Sequence, residues 1–98
     1  MALTDPRASV RRDGDALVFA GALLRDDVAA LWRPAAATLD GVRRFDVTAV
    51  ERIDSAGLAL LAELAARTGG DVVVDGAPPG LAELRGAYRL APTLGFAA

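Results

Sequence analysis

Ile53-Asp54-Ser55-Ala56-Gly57-Leu58 joins a short polar turn to a strongly apolar segment. Just upstream, Phe45-Asp46-Val47-Thr48 alternates apolar and polar residues at the period of a half-buried strand. The run therefore reads as strand, turn and helix start, with Ser55 at or beside the first helical turn. The helix is expected from Ser55 to Thr68, closed by Gly69-Gly70. Leu58, Leu61, Ala65 and Thr68 mark its inner face, and Leu60 and Leu64 widen it. Glu63 and Arg67 stand four apart, acid first, the favourable order for an exposed pair.

Working outward, Asp13-Gly14-Asp15 separates two strand-like runs, Ala8 to Arg12 and Ala16 to Ala20, and predicts a hairpin. Leu17 and Phe19 share one face of the second run, which Gly21 is expected to end. Asp26 and Asp27 open a helix whose apolar stripe is Val28, Leu31, Trp32, Ala35 and Leu39. Pro34 is expected to kink or split this helix, and Asp40-Gly41 to end it. The strand Arg44 to Thr48 follows, with Phe45 and Val47 inward. Val72-Val73-Val74 reads as a strand buried on both faces. After the turn at Asp75-Gly76 and Pro78-Pro79, a last helix is expected from about Pro79 to Tyr88, with Leu81, Leu84 and Tyr88 on one side. The tail from Leu90 to Ala98 is apolar but broken by Pro92 and Gly95. The order is β-β-α-β-α-β-α, an α/β domain whose mixed four-stranded sheet carries helices packed on it. With no repeat or linker, residues 1–98 read as a single domain.

Composition narrows the chemistry. Of the 98 residues 53% are hydrophobic, enough for a folded core. The absence of cysteine and histidine removes disulfides, thiolate metal sites and imidazole acid/base work. The net charge of −2, with both signs scattered, does not point to nucleic acid or to an anionic membrane surface. Met1 to Pro6 lacks the regions of a signal peptide, and no apolar stretch approaches the roughly 18 residues of a membrane span. The expectation is a soluble, cytoplasmic domain without direct membrane insertion, metal or cofactor.

Ser55 has two readings. Its hydroxyl can cap the free N–H groups of the helix, or it can accept a phosphoryl group where a helix start favours added negative charge. A nucleophile is disfavoured, because there is no histidine to activate it and Ile53 and Ala56 do not make a Gly-x-Ser-x-Gly elbow. Asp46 and Asp54 would come close if Asp46 ended its strand, and a carboxylate pair suggests acid/base work or a magnesium site. No further oxygen ligands accompany them, so the preferred reading is that one caps the helix and the other is a solvated turn residue. Trp32 is either core or, at the edge of its stripe, an interface anchor. Ala59, Ala62 and Ala66 give the flank of the second helix a low profile on which another backbone could lie close.

The chain resembles a STAS domain, the sulfate-transporter and anti-sigma-factor-antagonist fold of bacterial regulatory proteins. Phe19-Ala20-Gly21-Ala22-Leu23 is similar to the family's strand and Gly-x-Leu lead-in to the first helix. Phe45-Asp46-Val47-Thr48 is similar to its strand ending in Asp-Leu-Ser, and Asp54-Ser55-Ala56-Gly57-Leu58 to its Asp-Ser/Thr-x-Gly-Leu signature. Leu31-Trp32, the run from Arg52 to Leu61 and Tyr88-Arg89-Leu90 further resemble the small STAS subunit of Mla-type phospholipid ABC transporters. The resemblance implies a non-enzymatic accessory subunit. It would bind the cytoplasmic ATPase of a system that maintains outer-membrane lipid asymmetry, and sit beside the inner membrane through that partner. It implies a partner surface of Asp54, Ser55, Ala56, Gly57, Leu58, Ala59, Ala62 and Trp32. In the related anti-sigma factor antagonists the serine matching Ser55 is phosphorylated by a partner kinase, so the alternative is a phosphorylation switch at Ser55 acting on an anti-sigma factor.

Overall fold

The computed structural model describes residues 8–69 and 72–89. Its elements are β1 (Ser9–Asp13), β2 (Ala16–Leu23), α1 (Arg25–Ala36), β3 (Arg44–Ile53), α2 (Ser55–Arg67), β4 (Val73–Asp75) and α3 (Leu81–Ala87). The order is the expected β-β-α-β-α-β-α. The four strands form one mixed sheet in the order β1-β2-β3-β4. β1 and β2 are antiparallel, while β2–β3 and β3–β4 are parallel.

The hairpin closes with Asp13 opposite Ala16, leaving the two-residue turn Gly14-Asp15. Gly14 takes φ 61°, the positive value that the first turn position of a type II′ hairpin requires. Arg12 braces this turn. Its Nε donates to the Gly14 carbonyl at 2.6 Å, and its Nη1 donates to the carbonyls of Thr38 and Asp40 at 2.7 and 2.8 Å. One side chain thereby ties the hairpin to the loop after α1.

Leu17, Phe19, Phe45 and Val47 point to one face of the sheet, where they are fully buried under α1 and α2. Phe19 and Phe45 meet edge to face with centroids 5.8 Å apart. From α2 the core takes Leu58, Leu60, Leu61, Leu64 and Ala65, as the spacing predicts. The opposite sheet face carries Arg11, Asp13, Arg44, Asp46, Thr48 and Asp75 on alternate positions.

Several expectations are corrected. Gly21 does not end β2, which continues to Leu23. Gly21, at φ 82°, sits at a register irregularity instead. β3 runs five residues past Thr48 to Ile53, with a bulge at each of two points. Beyond Val47 its buried residues are Val50 and Ile53, every third instead of every second, which hid the strand from an alternation pattern. Pro34 does not split α1. It lies in the last turn, where its missing N–H costs one bond, and the helix ends at Ala36 instead of Asp40. β4 is an edge strand and is not buried on both faces: Val72 is buried but Val73 is half exposed. α3 starts at Leu81, after Gly80 at φ 95°, and Tyr88 just beyond it is exposed. The tail from Leu90 and the residues Gly70 and Asp71 lie outside the described residues.

Phe45 lies on the central strand pair at the middle of the apolar face. Phe45→Ala is expected to lower the unfolding free energy by about 3–5 kcal/mol, read from urea denaturation. A loss below about 1 kcal/mol would show that the aromatic pair does not anchor the core.

Candidate functional site

The backbone around Ser55 is fixed from three sides. The Asp54 N–H donates to the Leu23 carbonyl at the end of β2, 3.2 Å away. The Ile53 N–H donates to the Pro79 carbonyl ahead of α3, at 3.3 Å. Gly57 lies in the first turn of α2, against β2. A side chain there would overlap the Leu23 carbonyl and press on Ile53 Cγ1, so only glycine lets the helix start this close to the sheet.

Asp54, not Ser55, is the N-cap of α2. Its Oδ1 accepts from the Gly57 N–H at 2.9 Å. Its Oδ2 accepts from the Arg25 N–H at 3.0 Å, at the first residue of α1. The residue in the N-cap position of α1 is Leu24, whose side chain offers no acceptor. A single carboxylate thus serves the free N–H groups of two helices. Partial desolvation pushes the Asp54 carboxyl up, but the N–H groups of Gly57, Arg25 and Ala56 outweigh it and hold the carboxyl below the ordinary 3.8.

The capping reading of Ser55 is thereby corrected. The hydroxyl-bearing residue occupies the first helical position and is exposed, and the longer acidic side chain before it has taken the cap. Asp46 and Asp54 do not come close either. Seven residues of largely extended chain separate them, a distance on the order of 20 Å. Asp46 is a bulge anchor within β3. Its Oδ1 accepts from the Thr48 hydroxyl at 2.6 Å and the Thr48 N–H at 2.9 Å, bonds that lower its pKa. Among the described residues, no three carboxylates group as metal ligands would.

On α2, Ser55, Ala59, Glu63 and Ala66 are exposed, and Ala56 and Ala62 are half-buried, which makes a low-profile stripe headed by the hydroxyl. Gly57 and Leu58 are interior, so they can shape this surface but cannot touch a partner on it. Leu58 lies on the inner face, as its place in the helical repeat predicts. Trp32 stands on α1, half-buried at the edge of the core. The Arg67 guanidinium of α2 covers its ring at 4.9 Å from the centroid, and Glu63 lies 3.7 Å from Arg67. The Glu63–Arg67 pair is legible as an i,i+4 spacing. Its contact with Trp32 and the reach of Asp54 to Arg25 have no signal in the spacing, since both cross between helices.

Two outcomes follow from the geometry. Gly57→Ala is expected to destabilise the fold by at least about 1–3 kcal/mol, because the backbone of β2 must shift to admit the methyl group. Asp54 has a folded pKa below its unfolded one. Its contribution is present above about pH 4 and is lost as pH falls through the folded value, where the native state takes up the proton too. Urea denaturation at stepped pH should show stability falling below about pH 4. Asp54→Ala should reduce that fall and cost about 2 kcal/mol at neutral pH. An unchanged acid profile would mean that the carboxylate does not cap in solution.

A comparison with curated proteins found no match. Among solved structures the chain is similar to one titled "Crystal Structure Analysis of Mglu", at 27% identity and a TM-score of 0.49. The similarity covers 74% of this chain but only 20% of that one. A family model described as "Mlab, STAS domain" matches residues 8–94, which includes every strand and helix described above. The chain therefore belongs to the STAS domain family of the Mlab type, whose members serve in regulatory or accessory roles.

Proposed function

We propose that this protein is a non-enzymatic accessory subunit that binds the cytoplasmic ATPase of an ABC-type phospholipid transport system. The observation that carries the reading is the division of labour at the start of α2. Asp54 does the capping, which leaves Ser55 exposed at the head of a stripe of small side chains. The match to a family described as Mlab supports a transporter partner, and localisation beside the inner membrane would follow from that partner. Among the described residues no helix is long and apolar enough to cross a membrane. Ser55, Ala59 and Ala62 would make contact, Trp32 would anchor the edge, and Asp54, Ala56, Gly57 and Leu58 would shape the turn.

A second reading has one observation in its favour. An exposed hydroxyl that is not committed to capping is open to a kinase, as an anti-sigma factor antagonist requires. A phosphate there would add about −1.5 to −2 charge next to Asp54 and repel a partner packed on the turn.

Affinity purification of the tagged protein from its host, with mass spectrometry of bound proteins, separates the two. An ABC ATPase and its permease support the transporter reading, whereas an anti-sigma kinase with phosphate on Ser55 supports the switch. Within the transporter reading, Ser55→Glu and Ala59→Arg are each expected to weaken ATPase binding at least about tenfold, or 1.4 kcal/mol. Both should leave the melting temperature nearly unchanged, since both side chains face solvent and an acidic group suits a helix start. Wild-type affinity in both folded variants would remove this stripe from the interface.

A further inference from the structure

We propose that Asp54 is a positioning residue that holds α1 and α2 in register as one docking face. This rests on the reading of that face as the partner surface. α1 follows β2 and α2 follows the parallel β3, so the two helices cross the same sheet face in the same direction. They are tied together at two ends. At their starts, the Asp54 carboxylate holds Gly57 of α2 and Arg25 of α1. At the far end, Arg67 in the last turn of α2 covers Trp32 of α1. Exposed alanines lie between these ties on both helices, Ala29 and Ala30 on α1, Ala59 and Ala66 on α2. A partner that spans both stripes meets a surface whose width is set by the ties, and a shift of α1 along α2 would misplace half of it. Asp54 thereby acts on affinity through α1, a helix that starts 29 residues before it in the sequence.

The two bonds of Asp54 can be separated by substitution. Asn is as good an N-cap as Asp, so Asp54→Asn can retain the bond from Gly57 through its carbonyl oxygen. Its amide group, however, presents a donor to the Arg25 N–H, and two donors cannot bond. In the free protein, nuclear magnetic resonance of Asp54→Asn should show the Arg25 amide shifted and exchanging faster with solvent, while the Gly57 amide stays protected. Both amides responding together, or neither, would overturn the separation of the two bonds.

The second arm measures binding to the ATPase found by purification. Asp54→Asn is expected to bind at least about fivefold more weakly than wild type, measured on folded protein so that global stability does not enter. Adding Leu24→Ser gives α1 a cap of its own without restoring the tie to α2. If register is what matters, the double variant stays weak. Recovery of wild-type affinity would mean that Asp54 only prevents fraying of α1, and wild-type affinity in Asp54→Asn itself would mean that the tie has no role in binding. If the wild-type protein does not bind the ATPase, the functional reading falls. The amide measurement still decides whether one carboxylate couples the two helices.

Discussion

A helix leaves its first N–H groups without partners, and here two helices begin side by side where the parallel strands β2 and β3 end. The Asp54 carboxylate, with two oxygens and about four acceptor sites, is the group that answers both. Much of the surrounding structure is needed to put it there. The Leu23 carbonyl holds the Asp54 N–H, the absence of a side chain at Gly57 brings α2 down onto β2, and the Pro79 carbonyl holds Ile53. Strand ends, helix starts and the lead-in to α3 thus converge on one turn. A charged acceptor at this point is favoured by the dipoles of two helices as well as by its hydrogen bonds.

This arrangement gives adjacent residues different work. A serine one position earlier could cap α2 but could not also reach α1, because a hydroxyl oxygen is a shorter and poorer acceptor than a carboxylate. With aspartate in the cap position, the hydroxyl of Ser55 moves to the first exposed helical site. The signature Asp-Ser-x-Gly-Leu can be read in these terms. The acid joins two helices, the hydroxyl faces outward, the glycine permits close approach and Leu58 fills the core.

The parts of this fold that were legible in the sequence are those governed by local chemistry. Asp13-Gly14-Asp15 gave a hairpin because a positive φ is a property of one residue, and α2 was legible because its leucines recur at the helical period. β3 was legible only to Thr48, since two bulges change the spacing of inward residues from two to three. Asp46 anchors one of these bulges through Thr48, a bond that looks from the sequence like a strand end. Val73 is half exposed because it pairs with Arg44 on the sheet face that none of the described helices covers, and which face the helices take is set by topology. At the site, the turn and its glycine could be read, but the owner of the cap could not. Asp54 and Ser55 are both good caps, and the choice between them is decided by Arg25, which only the parallel pairing of Leu23 with Ile53 brings within reach.

The two faces of the sheet differ in a way that bears on where a partner can dock. The face that none of the described helices covers carries Arg11–Asp13 and Arg44–Asp75 ion pairs at 3.7 and 3.5 Å, with Asp46 on β3 under the influence of Arg11 and Arg44. Exposed pairs like these add little stability, but a partner that buried them would have to desolvate them. The edges are guarded as well: β1 carries charge on Arg11, Arg12 and Asp13, and β4 is three residues long. The outer face of α1 and α2 has the opposite character. Ala29, Ala30, Ala59 and Ala66 are exposed on it, and these small side chains let a partner's backbone approach closely. Its exposed charges, Arg25 and Asp26 at the start of α1 and Arg33, Glu63 and Arg67 toward the helix ends, can select a partner. This contrast favours the helical face, to which the Ser55 turn belongs, as the side for the proposed docking.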